Sequence, residues 1–179
     1  MNDLFFQFAT NKVINVKRLI DEYIPMNITF EYDIYSNTHN RVEYRTQDYY
    51  MYFQIGKEFG ELVSITLLCN KKYNFIKGNI SLAELPYNNS TIALKIKDIN
   101  QLIRRPYLDD GFNYTMTEAC KVDVYNDALK ISIATMPKPV LCIMNNNFGV
   151  LTDIDLNICS FVLKGITPSE YKYLIEHSK

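Results

Sequence analysis

The chain has 179 residues, 47% hydrophobic and 22% charged, with a formal net charge of −1. A chain of that length buries roughly 70% of the surface it exposes when unfolded, so it needs no metal or disulfide staple, and its composition is that of a soluble globular protein. The near-neutral charge lacks the basic footprint of a nucleic-acid-binding domain, no run of ~18 apolar residues marks a membrane helix, and the short acidic start, Met1-Asn2-Asp3, does not read as a signal peptide.

Residues 3–9 are a short apolar opening. Thr10 and Asn11 then cap a predicted helix on which Val13, Val16, Ile20 and Tyr23-Ile24 recur at helical spacing, Arg18 lies on the polar face, and Pro25 ends the element. Asn27 to Tyr35 alternates cleanly, with Ile28, Phe30, Tyr32 and Ile34 inward, and reads as a half-exposed strand. Arg41 to Arg45 starts the next strand. The stretch 49–70 is the centre of the fold: Met51, Phe53 and Ile55 share one face of a first strand, Gly56 to Gly60 reverses the chain, and Leu62 to Cys69 is apolar on both faces, as suits a central strand.

Tyr73 to Ile76 is a short strand broken by Gly78, residues 80–85 fit strand or helical turn, and residues 86–90 read as a loop. Thr91 to Lys97 is a strand, and Asp98 caps a short helix closed by Pro106. Residues 106–119 have no period and form the longest irregular stretch. Lys121 to Tyr125 and Ala128 to Thr135 make a hairpin around Asn126-Asp127. Strands are predicted at 140–144, 150–156 and 158–164, with a turn over 145–149. Thr167-Pro168-Ser169-Glu170 combines an N-cap, a first-turn proline and a capping-box acid, so a C-terminal helix begins there. About nine strands run mainly in sequential hairpins with helices near the ends. The expectation is a single α+β domain over residues 1–179 with one large, mostly antiparallel sheet of about nine strands, an N-terminal helix and a C-terminal helix.

The chemistry is restricted. The two histidines, His39 and His177, lie in a polar turn and three residues from the C-terminus, away from any nucleophile elbow. The six scattered glycines make no phosphate loop. Cys69, Cys120, Cys142 and Cys159 have no metal spacing, and three sit in apolar strand-like runs, so all four are expected as reduced thiols in a cytoplasmic protein. No metal, cofactor or catalytic residue is assigned. Asp153 and Asp155, two apart, share a face if they lie on a strand; they fit a solvated strand face or an acid–base or metal site.

Charge is unevenly spread. Residues 106–160 carry 3 basic and 7 acidic groups, interleaved with Tyr107, Phe112, Tyr114, Tyr125 and Phe148. Acidic and aromatic residues on loops and hairpin ends have the composition of a surface that docks a basic protein, although solubility charge on a sheet gives the same pattern. The candidate partner-binding residues are Asp109, Asp110, Phe112, Tyr114, Asp123, Tyr125, Asp127, Asp153 and Asp155.

In size, cytoplasmic character, Asn-, Ile-, Lys- and Tyr-rich usage, lack of catalytic motifs and this acidic segment, the chain resembles the immunity proteins of bacterial toxin–immunity pairs of the contact-dependent inhibition type. The resemblance is one of general type over the whole chain and transfers no residue. It implies a non-enzymatic monomer or weak dimer that binds a cognate toxin, a nuclease, and occludes its active site, with acidic groups standing in for substrate phosphates and no direct contact with nucleic acid or membrane. Two alternatives stand beside it: a small-ligand protein or enzyme with a Tyr/carboxylate pocket inside the sheet, and a viral or phage protein that engages a host factor.

Overall fold

A computed structural model describes residues 6–9, 13–20, 26–32, 37, 39–45, 49–56, 58, 61–70, 73–82, 87–89, 93–96, 114–116, 120–133, 138–145, 147–155 and 158–176. In chain order its strands are β1 (Phe6–Ala9), β2 (Val13–Leu19), β3 (Met26–Tyr32), β4 (His39–Arg45), β5 (Tyr49–Gly56), β6 (Leu62–Asn70), β7 (Tyr73–Phe75) and β8 (Tyr87–Asn89). They continue as β9 (Ala93–Ile96), β10 (Tyr114–Met116), β11 (Cys120–Val124), β12 (Ala128–Ile133), β13 (Leu141–Asn145), β14 (Phe148–Thr152) and β15 (Ile158–Lys164), followed by helix α1 (Pro168–Glu176).

The strands form two large sheets and a ribbon rather than the single nine-strand sheet expected from the sequence. The first sheet has 6 strands in the order β10-β4-β5-β6-β3-β2, the second 7 in the order β7-β11-β12-β15-β14-β13-β8, and β1 pairs with β9. Pairing is antiparallel except at β10–β4, β7–β11 and β8–β13. Alternation within each strand reports which face is buried but not which sheet the strand joins, and that is why one sheet was expected.

The core is the layer between the two sheets. Met26, Ile28, Phe30 and Tyr32 of β3 and Met51, Phe53 and Ile55 of β5 face Leu129, Ile131, Val150, Phe161 and Leu163 of the second sheet in one buried cluster. Three ring pairs bridge and fill it: Phe30 meets Phe148 edge-on at 4.8 Å, Phe53 lies 5.8 Å from Phe161, and Phe148 stacks on Phe161 at 6.2 Å. This is a β-sandwich with inward faces interdigitated, and each fully buried Phe contributes on the order of 1.5–3 kcal/mol of apolar burial.

The central hairpin is as expected. Strand β6 lies between β5 and β3, and both its faces are covered: Ile65 and Leu67 enter the core while Ser64 and Thr66 are buried on the other side. Those hydroxyls donate to Gln54 Oε1 and Asn27 Oδ1, each at 2.9 Å, so the outer polar atoms are satisfied. The outer face of the second sheet carries its own small apolar cluster, Cys142, Met144, Leu151 and Val162, over which Ile80 and Leu82 pack.

The expected N-terminal helix is a correction. Val13–Leu19 is strand β2, paired antiparallel with β3 at the edge of the first sheet. Its inward row includes Arg18, whose guanidinium crosses to the far sheet: it donates to Lys164 O (2.9 Å), Gly165 O (2.7 Å) and both oxygens of Glu170 (3.1 and 3.2 Å). Gly165 holds φ at +73°, a left-handed value that presents its carbonyl at this join. Strands β8 and β10 fall where a loop and an irregular stretch were expected, and the short helix expected at 98–105 lies outside the described residues.

Strand β15 and helix α1 are where the sequence puts them. Thr167 and Glu170 form the expected capping box: Thr167 N donates to Glu170 Oε2 (2.7 Å) and Glu170 N to Thr167 Oγ1 (3.2 Å). No helix among the described residues is long and apolar enough to cross a membrane.

Candidate docking surface

The second sheet fixes where the acidic candidates sit. Strand β12 runs against β15 with Ala128 opposite Lys164 and Ser132 opposite Ser160. The β11–β12 turn therefore lies at one end of the sheet and the β14–β15 turn at the other. The six residue steps from Ile158 to Lys164 at about 3.3 Å separate the two ends by about 20 Å. Tyr125 and Asp127 are at the first end; Asp153 and Asp155 are at the second. Tyr114 is on neither, because β10 joins the first sheet with Tyr114 opposite Val42. Asp109, Asp110 and Phe112 lie outside the described residues.

Several of these carboxylates have structural work. Asp123 is 5% exposed; its Oδ1 receives Lys121 Nζ at 2.9 Å and Asn74 Nδ2 at 2.6 Å. Asp127 Oδ1 accepts the backbone N–H of Ile80 at 2.9 Å, and its carbonyl accepts Ile166 N at 3.0 Å, so it ties two chain segments to the hairpin. Asp153 is 8% exposed, and its Oδ1 accepts Asp155 N at 3.0 Å.

The Asp153–Asp155 bond closes a turn after β14, a correction to the strand expected through residue 156. Strand β14 ends at Thr152 beside a register shift in its pairing with β15. The two acids therefore do not share a strand face. Between them the turn holds Ile154 82% exposed, by far the most exposed large apolar side chain described. Val140, 42% exposed, enters the same end of the sheet through its N–H to Thr152 O at 2.7 Å. Asp155 is exposed beside them. An apolar tip pinned by a local side-chain-to-backbone bond and rimmed by a carboxylate has the chemistry of an interface anchor. Sequence reading missed Ile154 because an isoleucine between two aspartates in an expected strand reads as an inward residue.

Arg41 stacks 3.9 Å over the Tyr52 ring and donates to Tyr50 Oη at 2.6 Å on the outer face of the first sheet. Cys142 and Cys159 are free thiols and buried. Burial raises both, and with the charge of Asp153 beside it Cys159 is pushed up to about 11, which makes them inert rather than nucleophilic. His39 is exposed at the start of β4, and His177 lies outside the described residues. Among the described residues no three of His, Cys, Asp and Glu come together as metal ligands. No protein-family model matches the sequence, and no curated protein matches it either.

Proposed function

We propose that this chain is a protein-binding inhibitor that neutralises a cognate bacterial toxin, a nuclease with a basic cleft, by covering its active site. The observation that carries the reading is the pinned turn that holds Ile154 in solvent with Asp155 beside it and Val140 adjacent. Interfaces concentrate their energy in a few anchors that bury fully against a partner, and a charged rim steers the encounter. The acidic bias of residues 106–160 supplies that steering charge. The working contact is the β14–β15 end of the second sheet; Asp109 and Asp110, the further candidate charges, lie outside the described residues.

The test is co-expression with the product of the gene directly upstream, which an immunity protein is expected to neutralise. Wild-type chain should restore growth and co-purify with that product, and the double variant Ile154→Lys, Asp155→Lys should do neither while melting like wild type. A wild-type chain that neither protects nor co-purifies overturns the function; a double variant that protects fully overturns the surface.

A further inference from the structure

The outer face of the second sheet carries a groove of about 400 Å³, within the ~300–1,000 Å³ range of small-molecule sites. Its floor and one wall are apolar, from Leu151, Ile80 and Leu82, and its polar groups among the described residues are Ser81, Lys130, Lys138 and Tyr125. The wall is built rather than draped. Ile76 N donates to Val124 O (2.8 Å), Asn126 N to Gly78 O (3.0 Å), and Ile80 N to Asp127 Oδ1 (2.9 Å), so residues 76–80 are stitched to the β11–β12 hairpin.

The charged residues in the described lining of the groove are Lys130 and Lys138. Asp123, opposite Lys130 in the β11–β12 ladder, has its carboxylate taken by Lys121 and Asn74, and Asp127 is taken by the Ile80 N–H. Among the described residues no carboxylate pairs with Lys130 or Lys138. Burial, reinforced by the charge of Asp123, raises the Tyr125 phenol, which stays a hydrogen-bond donor. Two ammonium groups and a phenol over an apolar floor match one ligand type: an anionic head on a short apolar body.

We propose that this groove binds a small amphipathic anion, its carboxylate between Lys130 and Lys138 and its hydrocarbon body against Ile80, Leu82 and Leu151. The groove borders the docking end, since Lys138 and Pro139 precede Val140, but the proposal does not depend on the inhibitor reading. The cation pair fixes orientation and sign selectivity; the apolar floor supplies area-dependent affinity.

Titration calorimetry with octanoate, octanol and octylammonium tests it on the intact chain. Octanoate should bind saturably at one site per chain, octanol at least tenfold more weakly, and octylammonium not measurably. Raising salt should weaken octanoate and leave octanol unchanged. Lys130→Met with Lys138→Met should reduce octanoate affinity at least tenfold; Lys138→Met alone, at an exposed position, should reduce it severalfold and decides the matter if the double variant fails to fold. Lys172→Met, on α1, should change nothing. Equal binding of octanoate and octanol, non-saturating uptake, or unchanged octanoate affinity in Lys138→Met overturns the proposal.

Discussion

Arg18 gives the sharpest test of how the two sheets are joined. Replacing it with Met removes four hydrogen bonds, two to the carbonyls of Lys164 and Gly165 and two to Glu170. Both side chains of the ion pair are only about one-fifth exposed, 22% and 20%. Bonds involving a charged group are worth ~1.5–3 kcal/mol each but are not additive, and the freed carbonyls regain some water, so a net loss of about 2 kcal/mol is expected. For a chain of this size that lowers the melting temperature by about 4–8 °C. Arg18→Lys should recover only part of it, because an ammonium does not reproduce the planar fork. A double-mutant cycle with Glu170→Gln isolates the pair, since Gln still serves the capping box; coupling above ~0.5 kcal/mol is expected. Lys17→Met, next door, breaks only the exposed pair with Glu31 and should leave the melt unchanged. If Arg18→Met melts within about one degree of wild type, Arg18 faces solvent and the strand assignment of 13–19 is wrong.

Four further outcomes follow from the same geometry. Phe148→Ala should cost about 3–5 kcal/mol, read by urea unfolding, because the ring is 1% exposed and touches Phe30 and Phe161; a loss below ~1 kcal/mol contradicts the inter-sheet core. Gly149→Val should cost about 1–3 kcal/mol, since a Cβ there overlaps the Met144 sulfur, and Met144→Ala in the same chain should return part of the loss. Thr167→Ala should cost about 1 kcal/mol by removing the cap of α1. Cys159, raised to about 11 when folded, ionises near ~8.5 when unfolded, so between those values the unfolded chain holds fewer protons and the thiol's contribution, present at lower pH, is lost as pH rises. Urea unfolding at pH 8 and pH 10.5 should show wild type losing more stability than Cys159→Ala; parallel losses contradict the buried thiol.

The parts of the fold legible in the sequence are those whose signal is local. The β5–β6 hairpin, β15 and the capping box of α1 each declare themselves within a few residues. Strand β2 hid its period because its inward row contains Arg18 while Leu19 points out, 48% exposed; the apolar residues left at 13, 16 and 20 mimic a helix face. What makes Arg18 an inward residue is a pair of carbonyls and a carboxylate some 150 positions away, which no window of sequence reveals. The acidic bias was visible, but its division was not. Asp123 and Asp153 are adjacent to nothing special in sequence, yet one is bonded by Asn74 from a neighbouring strand and the other closes its own turn. Ile154 became an exposed tip only because β14 ends at Thr152, a boundary set by the register shift against β15.

The most direct test of the docking claim is the affinity of Ile154→Lys for the upstream gene's product, measured by calorimetry beside Glu31→Lys, a control on a half-exposed residue of the other sheet. A buried anchor is worth ~2 kcal/mol or more, so Ile154→Lys should weaken binding about thirtyfold or more, with the melting temperature and the affinity of Glu31→Lys unchanged. Full affinity in Ile154→Lys, or its loss in Glu31→Lys alone, would place the partner on a different face of the sandwich.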